Sequence, residues 1–426
     1  MLTSREETTI ASGGGVMDKL VFCHFMTGIT SNRQGVSDYD GDMRRAREAG
    51  IDAFAMNIGT DSFTDTQLGF AYESAANNEM KLFLSFDFNH WGIGQGNEIG
   101  AKVRQYANQP AQLRLDGKVF VSSFAGDGVN VESIRTAAGL DIFFAPNFHT
   151  GVGDFNTIDG AFNWMAWPSN GDNQAPTPTH NITVREGDTM YNQELNGKPY
   201  IAPASPWFST QFSDRPLNKN WVFPSDLLWY DRWVEILHLR PQFVEIISWN
   251  DYGESHYIGP LSSLHTDDGS SRWTAGMPHD GWLNMLKPFI SAYKAGSSEI
   301  PYNSVEKDGI VYWYRTTKKS AECAMTSAST GLSINVPAGY ETLKDEVFIV
   351  AFLQSPAQII VQSGERSITL SAPSGISAHR CPMGVGRQRF TVSRDGGVIL
   401  SGTASRDISD VCLDGIYNSN AYVGTL

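Results

Sequence analysis

Residues 242–259 read QFVEIISWNDYGESHYIG, and a change of character inside them decides the fold. Phe243, Val244, Ile246, Ile247 and Trp249 give a strand of the buried type, and a polar cluster follows without a break. A buried strand that runs straight into acids, amides and aromatic rings is the pattern of a parallel α/β sheet, whose ligands bind at the carboxyl edge. The chemistry is therefore expected just after this strand.

Working outward, the same kind of run recurs at KLVFCHF (from Lys19), IDAFAMNI (Ile51), MKLFLSFDF (Met80), KVFVSSFAG (Lys118), LDIFFAPNF (Leu140), AFNWMAWP (Ala161) and YIAPASPWF (Tyr200). Helical windows such as YDGDMRRAREAG, TDTQLGFAYESAANNE, NEIGAKVRQYANQ, VESIRTAAG and SDLLWYDRWVEILHLR lie between them. Repeated strand-helix alternation with right-handed crossovers predicts an α/β fold, a (β/α)8 TIM barrel over residues 17–297, with GWLNMLKPFISAYKAG as its closing helix. Beyond it the texture changes to VYWYRT, EVFIVAFLQ, AQIIVQSG, RSITLSA and QRFTVSRDGG, short alternating runs joined by turn residues. These predict a C-terminal antiparallel β-sandwich over residues 298–426. Residues 1–16, which include a glycine triplet, read as a flexible N-terminal segment.

Composition excludes several classes. A formal charge of −14 argues against nucleic acid, because neutralising phosphates needs clustered cations. No apolar run is long enough to cross a membrane, and the N-terminus lacks the basic and apolar regions of a signal peptide. Cys23, Cys323, Cys381 and Cys412 have no metal-type spacing; one disulfide at most is expected among the last three, and the sequence leaves the pair open. His24, His90, His149 and His256 are scattered one to a strand end, so no metal is expected. There is no G-x-S-x-G elbow, and GIGQGN and GVGDFN do not make a phosphate loop, so no cofactor is expected either.

The polar and aromatic residues at the strand ends are consistent with carbohydrate chemistry. Cleaving a glycosidic bond needs one protonated carboxyl beside the leaving oxygen and one ionised carboxylate, between flat walls that orient the ring. Glu254, Asp251 and Asp87 are the candidate catalytic carboxyls. Candidate substrate contacts are His24, Asn57, Asp61, His90, Asn147, Trp164, Trp167, Trp207, Trp249, Asn250, Tyr252, His256 and Tyr257. Blander roles stand beside these: Asp87 as a backbone acceptor at the rim, Asp251 and Glu254 as a structural cap, and Trp249 as core. The separation of three residues leaves the stereochemistry undecided.

SFDFNHW, NWMAWP, APASPWF and above all SWNDYGESHYIGP resemble glycoside hydrolase family 71, the fungal α-1,3-glucanases or mutanases, and the likeness covers nearly the whole chain. The resemblance implies endo-type, inverting hydrolysis of the α-1,3-glucan of fungal cell walls, without a metal, by a protein that is secreted or wall-associated; a monomer is expected. Its acidic residues fall on Asp87, Asp251 and Glu254. We assign Glu254 as general acid and Asp251 as general base, with Asp87 holding water or tuning the base. Because no leader is evident, an intracellular member is the other expectation for location. The competing functional expectation is a catalytically inert α-glucan-binding protein.

Overall fold

The computed structural model describes residues 18–171, 173–212, 219–323, 336–412 and 415–426; the expected flexible segment 1–16 lies outside them. Among the described residues, eight strands of the largest sheet run parallel: β1 (Leu20–Met26), β2 (Ala53–Ile58), β3 (Lys81–Asp87), β5 (Lys118–Phe124), β6 (Ile142–Pro146), β7 (Ala161–Phe162), β8 (Tyr200–Ala204) and β11 (Phe243–Ile246). The short β4 (Arg114–Leu115) lies antiparallel on β5, and β9 (Ser209–Phe212) with β10 (Lys219–Val222) forms a separate hairpin. Each parallel strand pairs with its predecessor in this series, except at the seam between β6 and β7, and the last strand, β11, pairs with the first. The sheet therefore curls upon itself. At the seam the amides of Asp159 and Gly160 both donate to the Phe144 carbonyl, at 2.9 and 3.4 Å.

Both faces of these strands are covered, which is why they read as continuous apolar runs. Val21, Cys23, Phe54, Met56, Leu82 and Leu84 point outward into a core shared with α1 (Ser37–Ala49), α2 (Thr64–Asn77), α3 (Gly96–Tyr106) and α4 (Val131–Ala138). Leu20, Phe22, Ala53, Ala55, Phe83, Phe120, Phe143 and Phe243 point inward and form a second core. Two more helices, α5 (Val184–Leu195) and α6 (Leu228–Leu239), follow β7 and β10, and α7 (Ser271–Thr274), α8 (Asp280–Asn284) and α9 (Leu286–Lys294) follow β11.

The C-terminal region builds two four-stranded antiparallel sheets. The inner one is ordered β17 (Gly375–Pro382), β14 (Glu346–Leu353), β12 (Gly309–Arg315), β21 (Ala421–Thr425). The outer one is ordered β16 (Arg366–Ala372), β15 (Ala357–Ser363), β18 (Gln388–Arg394), β19 (Gly397–Thr403). A third pairing, β13 (Thr317–Glu322) with β20 (Ser409–Val411), leads into the disulfide Cys323–Cys412. Along β12, Ile310, Tyr312 and Tyr314 face the outer sheet, while Val311 and Trp313 join the core of the parallel region. The inner sheet is thus buried on both sides, and α8 lies flush against it. A Cβ on Gly281 would come within 2.7 Å of Val423 and 3.1 Å of Val311, so the close approach requires glycine.

Candidate active site

Beyond β11 the chain turns back over the carboxyl edge as a loop whose neck is closed by backbone bonds from Ser248 to His256, from Ile258 to Ser248 and from Gly259 to Trp249. Asn250 ties this loop to β1: its Oδ1 accepts from the Met26 amide at 2.8 Å and its Nδ2 donates to the Met26 carbonyl at 3.2 Å. The side chain thereby adds one rung to a ladder the backbone has already left. Within the loop, the Asp251 amide donates to Ser248 Oγ at 2.9 Å, and Asp251 Oδ1 accepts from the Glu254 amide at 3.0 Å. Gly253 sits between the two acids, where a Cβ would meet the Phe212 ring at 2.7 Å and Asp268 Oδ2 at 2.9 Å.

Facing oxygens of Asp251 and Glu254 and a ring nitrogen of His256 all fall within 4.8 Å of one another. His256 Nε2 is 2.9 Å from Glu254 Oε2 and 3.9 Å from Asp251 Oδ2, and its Nδ1 pairs with Ser248 Oγ at 2.9 Å. The Lys219 ammonium contacts the other Glu254 oxygen, Oε1. A side chain thus supplies a positive charge to this acidic cluster, whose three ligand atoms are also close enough to hold a cation. A cavity of about 450 Å³ opens over the group, lined by Asn250, Asp251, Tyr252, Glu254, Lys219, His90, Asp268, Thr266, Met26, Ile29 and Phe212. That volume lies within the range of small-ligand clefts, roughly 300 to 1,000 Å³.

The charges are not shared evenly. Burial, and after it the Glu254 charge, pushes the Asp251 carboxyl up to about 6, against the pull of His256 and Lys219. Burial pushes Glu254 the same way, but Lys219 and the hydrogen bond from His256 outweigh it and hold that carboxyl well below the usual range. These influences set the two carboxyls apart, favouring the protonated form at Asp251 and the charged form at Glu254.

Of the residues singled out from sequence, Asp251, Glu254, His90, Asn250 and Tyr252 line the cavity. Asp87 ends β3, accepts from the Asn89 amide at 2.9 Å, and lies close enough to add to the field at Lys219. Asn57 is buried at the end of β2, and Asp61 is exposed beside His90 above Gly59. Others sit behind the site. His24 pairs with Glu245 inside the curled sheet at 2.8 Å, and its ring meets the edge of Trp164 at 4.9 Å. Asn147 donates to the Phe162 carbonyl and to the Tyr191 hydroxyl. Trp167 donates to the Trp207 carbonyl, Trp207 to the Ser419 carbonyl, and Trp249 to Asp42. Tyr257 donates to the Met277 carbonyl and stacks on His279 at 3.8 Å. His256 is buried beneath the carboxyls and flanked by Trp167 and Phe208.

Sequence reading missed Lys219, Phe212, Thr266 and Asp268. Lys219 and Phe212 belong to a hairpin of two four-residue strands, too short to show a pattern. It also missed Glu245, whose only signal was an acid inside the apolar run FVEII.

Comparison with known proteins identifies the family. The sequence model described as glycosyl hydrolase family 71 matches residues 17–426. The chain belongs to that family. A mutanase of Penicillium rubens is 44% identical over 415 residues, covering 96% of this chain and 89% of the relative. A glucan endo-1,3-alpha-glucosidase of Schizosaccharomyces pombe is 36% identical, covering 96% and 95%. Among solved structures, an endo-alpha-mannosidase of Bacteroides thetaiotaomicron superposes with a TM-score of 0.47 at 16% identity, over 62% of this chain and 81% of that one. As a member of the family, the chain is a glycoside hydrolase.

Proposed function

We propose that this family 71 enzyme cleaves internal α-1,3-glucosidic bonds of fungal cell-wall glucan, acting as a monomer with the Asp251 and Glu254 carboxyls as its reacting pair. The observation that carries the reading is their meeting with His256 and Lys219 at the floor of one cavity, on the carboxyl edge of a curled parallel sheet. The names of the fungal relatives support the linkage. We read the parallel strands as a (β/α)8 barrel over 17–297, and the paired C-terminal sheets as a β-sandwich over 298–426. Shared core residues support the two folding together. The disulfide supports an oxidising, extracellular setting, and among the described helices none is long and apolar enough to cross a membrane.

In the reaction one carboxyl protonates the departing glycosidic oxygen, while the other takes a proton from the attacking water. The roles we assign from sequence, Glu254 as acid and Asp251 as base, require the proton to pass to Glu254 once substrate displaces Lys219. The charges of the free site support the opposite order, with Asp251 as donor and Glu254 as base. A glycosyl fluoride separates the two, because its leaving group needs little protonation: it restores turnover to the variant lacking the acid but not to the one lacking the base. Inversion is the outcome the family resemblance implies. Facing oxygens within 4.8 Å do not by themselves support it, since an intervening water usually needs roughly 6.5 to 9.5 Å between carboxyls, so Asp87 is proposed to help hold that water.

Incubation with insoluble α-1,3-glucan is expected to release reducing oligosaccharides whose first anomer is β. An α anomer would overturn inversion, and an inert protein that still binds glucan would favour the binding-protein reading.

A further inference from the structure

Lys219 carries the permanent positive charge among the described residues lining the cavity, opposite Asp251, Glu254 and Asp268. Its ammonium meets Glu254 Oε1 while His256 holds Oε2, so the carboxylate is gripped from two sides. The lysine stands on a supported element. In the β9–β10 hairpin Lys219 lies opposite Phe212, and its Nζ is 5.9 Å from the centre of the Trp221 ring. The far side of the hairpin is tied to the C-terminal region: Val222 donates to the Ala338 carbonyl, Ala338 donates to the Asn220 carbonyl, each at 3.0 Å, and Gln211 Nε2 donates to the Tyr417 carbonyl at 2.7 Å. A surface ion pair between two long side chains contributes little to stability and needs no such anchorage.

We infer that Lys219 is a positioning residue of the hydrolysis, whose ammonium holds the Glu254 carboxylate in place and in its charged form. The inference rests on the reading of Asp251 and Glu254 as the reacting pair, in the order with Asp251 as proton donor and Glu254 as base. Burial works against the lysine's own charge, but Glu254, Asp251 and Asp87 together outweigh it, so the cation persists throughout the working range. Because Lys219 acts on both members of the pair, its loss moves the whole activity window and does not simply lower the activity.

The test compares the full-length wild type with Lys219→Met and Lys219→Arg, measuring kcat/KM against pH on a soluble α-1,3-gluco-oligosaccharide, with circular dichroism and thermal unfolding as controls for folding. Removing the positive charge raises both carboxyls, so the Met profile is expected to move to higher pH by roughly 1 to 3 units. Arg is expected to restore most of the original position. A Met profile that superimposes on wild type overturns the inference, as does an Arg profile displaced as far as the Met profile. A folded Met variant that is inactive at every pH overturns it too, since a charge effect leaves an active window at higher pH. A wild type that releases no reducing ends overturns the hydrolysis reading instead. The Glu254 carboxyl, followed by 13C NMR and assigned with Glu254→Gln, then still decides on Lys219: its titration moves upward in the Met variant or the inference fails.

Discussion

The two ends of the inward face of the parallel strands differ sharply. At the amino end Phe22, Phe83 and Phe120 meet at centroid distances of 4.7 to 5.2 Å, with Phe143 stacked on Phe120. Two to four residues further along the same or neighbouring strands, the interior holds His24, Ser85, Asp87, Ser122 and Glu245. The first layer is fixed by ring packing alone. The second buries polar atoms, some without partners, among them His24 Nε2 and Glu245 Oε2 among the described residues. Ring packing is concentrated at one end and buried polar groups at the other, and the cavity stands over the polar end.

If that division holds, changes at the two ends should fail in different assays. The largest effect is expected from Glu254→Gln: release of reducing sugar falls by about 100- to 10,000-fold while the unfolding midpoint stays near that of wild type. At the opposite end, Phe120→Ala is expected to cost about 3 to 5 kcal/mol in urea unfolding, because four ring contacts are lost, while the folded fraction keeps its kcat. Next comes the cross-link. Replacing Cys323 and Cys412 together by serine reopens a separation of 89 residues and is expected to cost about 2 to 4 kcal/mol, read as a lower Tm.

The pH dependence sharpens the comparison further. The reaction needs one proton on the pair, and that proton leaves Asp251 as pH rises through about 6. Activity on the α-1,3-glucan is therefore expected to fall about tenfold for each pH unit above that point, with the fold intact. Smallest of all, Thr391→Ala on the outer sheet, whose hydroxyl meets Ser401 at 3.2 Å on an exposed face, is expected to change stability by no more than about 0.5 kcal/mol and activity not at all.

How much of this could be read beforehand depended on how local the signal was. The eight parallel strands were legible because burial on both faces writes an unbroken apolar run, even where β7 has shrunk to Ala161–Phe162. The carboxyl pair was legible because Asp251 and Glu254 are three positions apart on one loop. Helix α5 was passed over inside the polar stretch 151–198, although Thr183 and Glu186 form a capping box that announces it. His256 was noticed as a residue but not in its place beneath the acids, because a position in sequence says nothing of which side of a loop a ring takes. Lys219 was out of reach: it meets Glu254 across 35 positions, through a hairpin without periodicity.

The two-faced inner sheet carries a lesson about heredity. Trp313, Phe348, Val350 and Val423 pack into the same core as Trp282 and Leu286, so the C-terminal strands are expected not to keep their packing when cut from the parallel region. A recombination event that severed the chain near residue 300 would leave indole and phenyl surfaces facing water on both fragments, and would strip the lysine-bearing hairpin of its tether at Ala338. Only the exposed face of the outer sheet is without such a constraint, since its inward side chains Ile359, Val361, Phe390 and Val392 are themselves buried against the inner sheet.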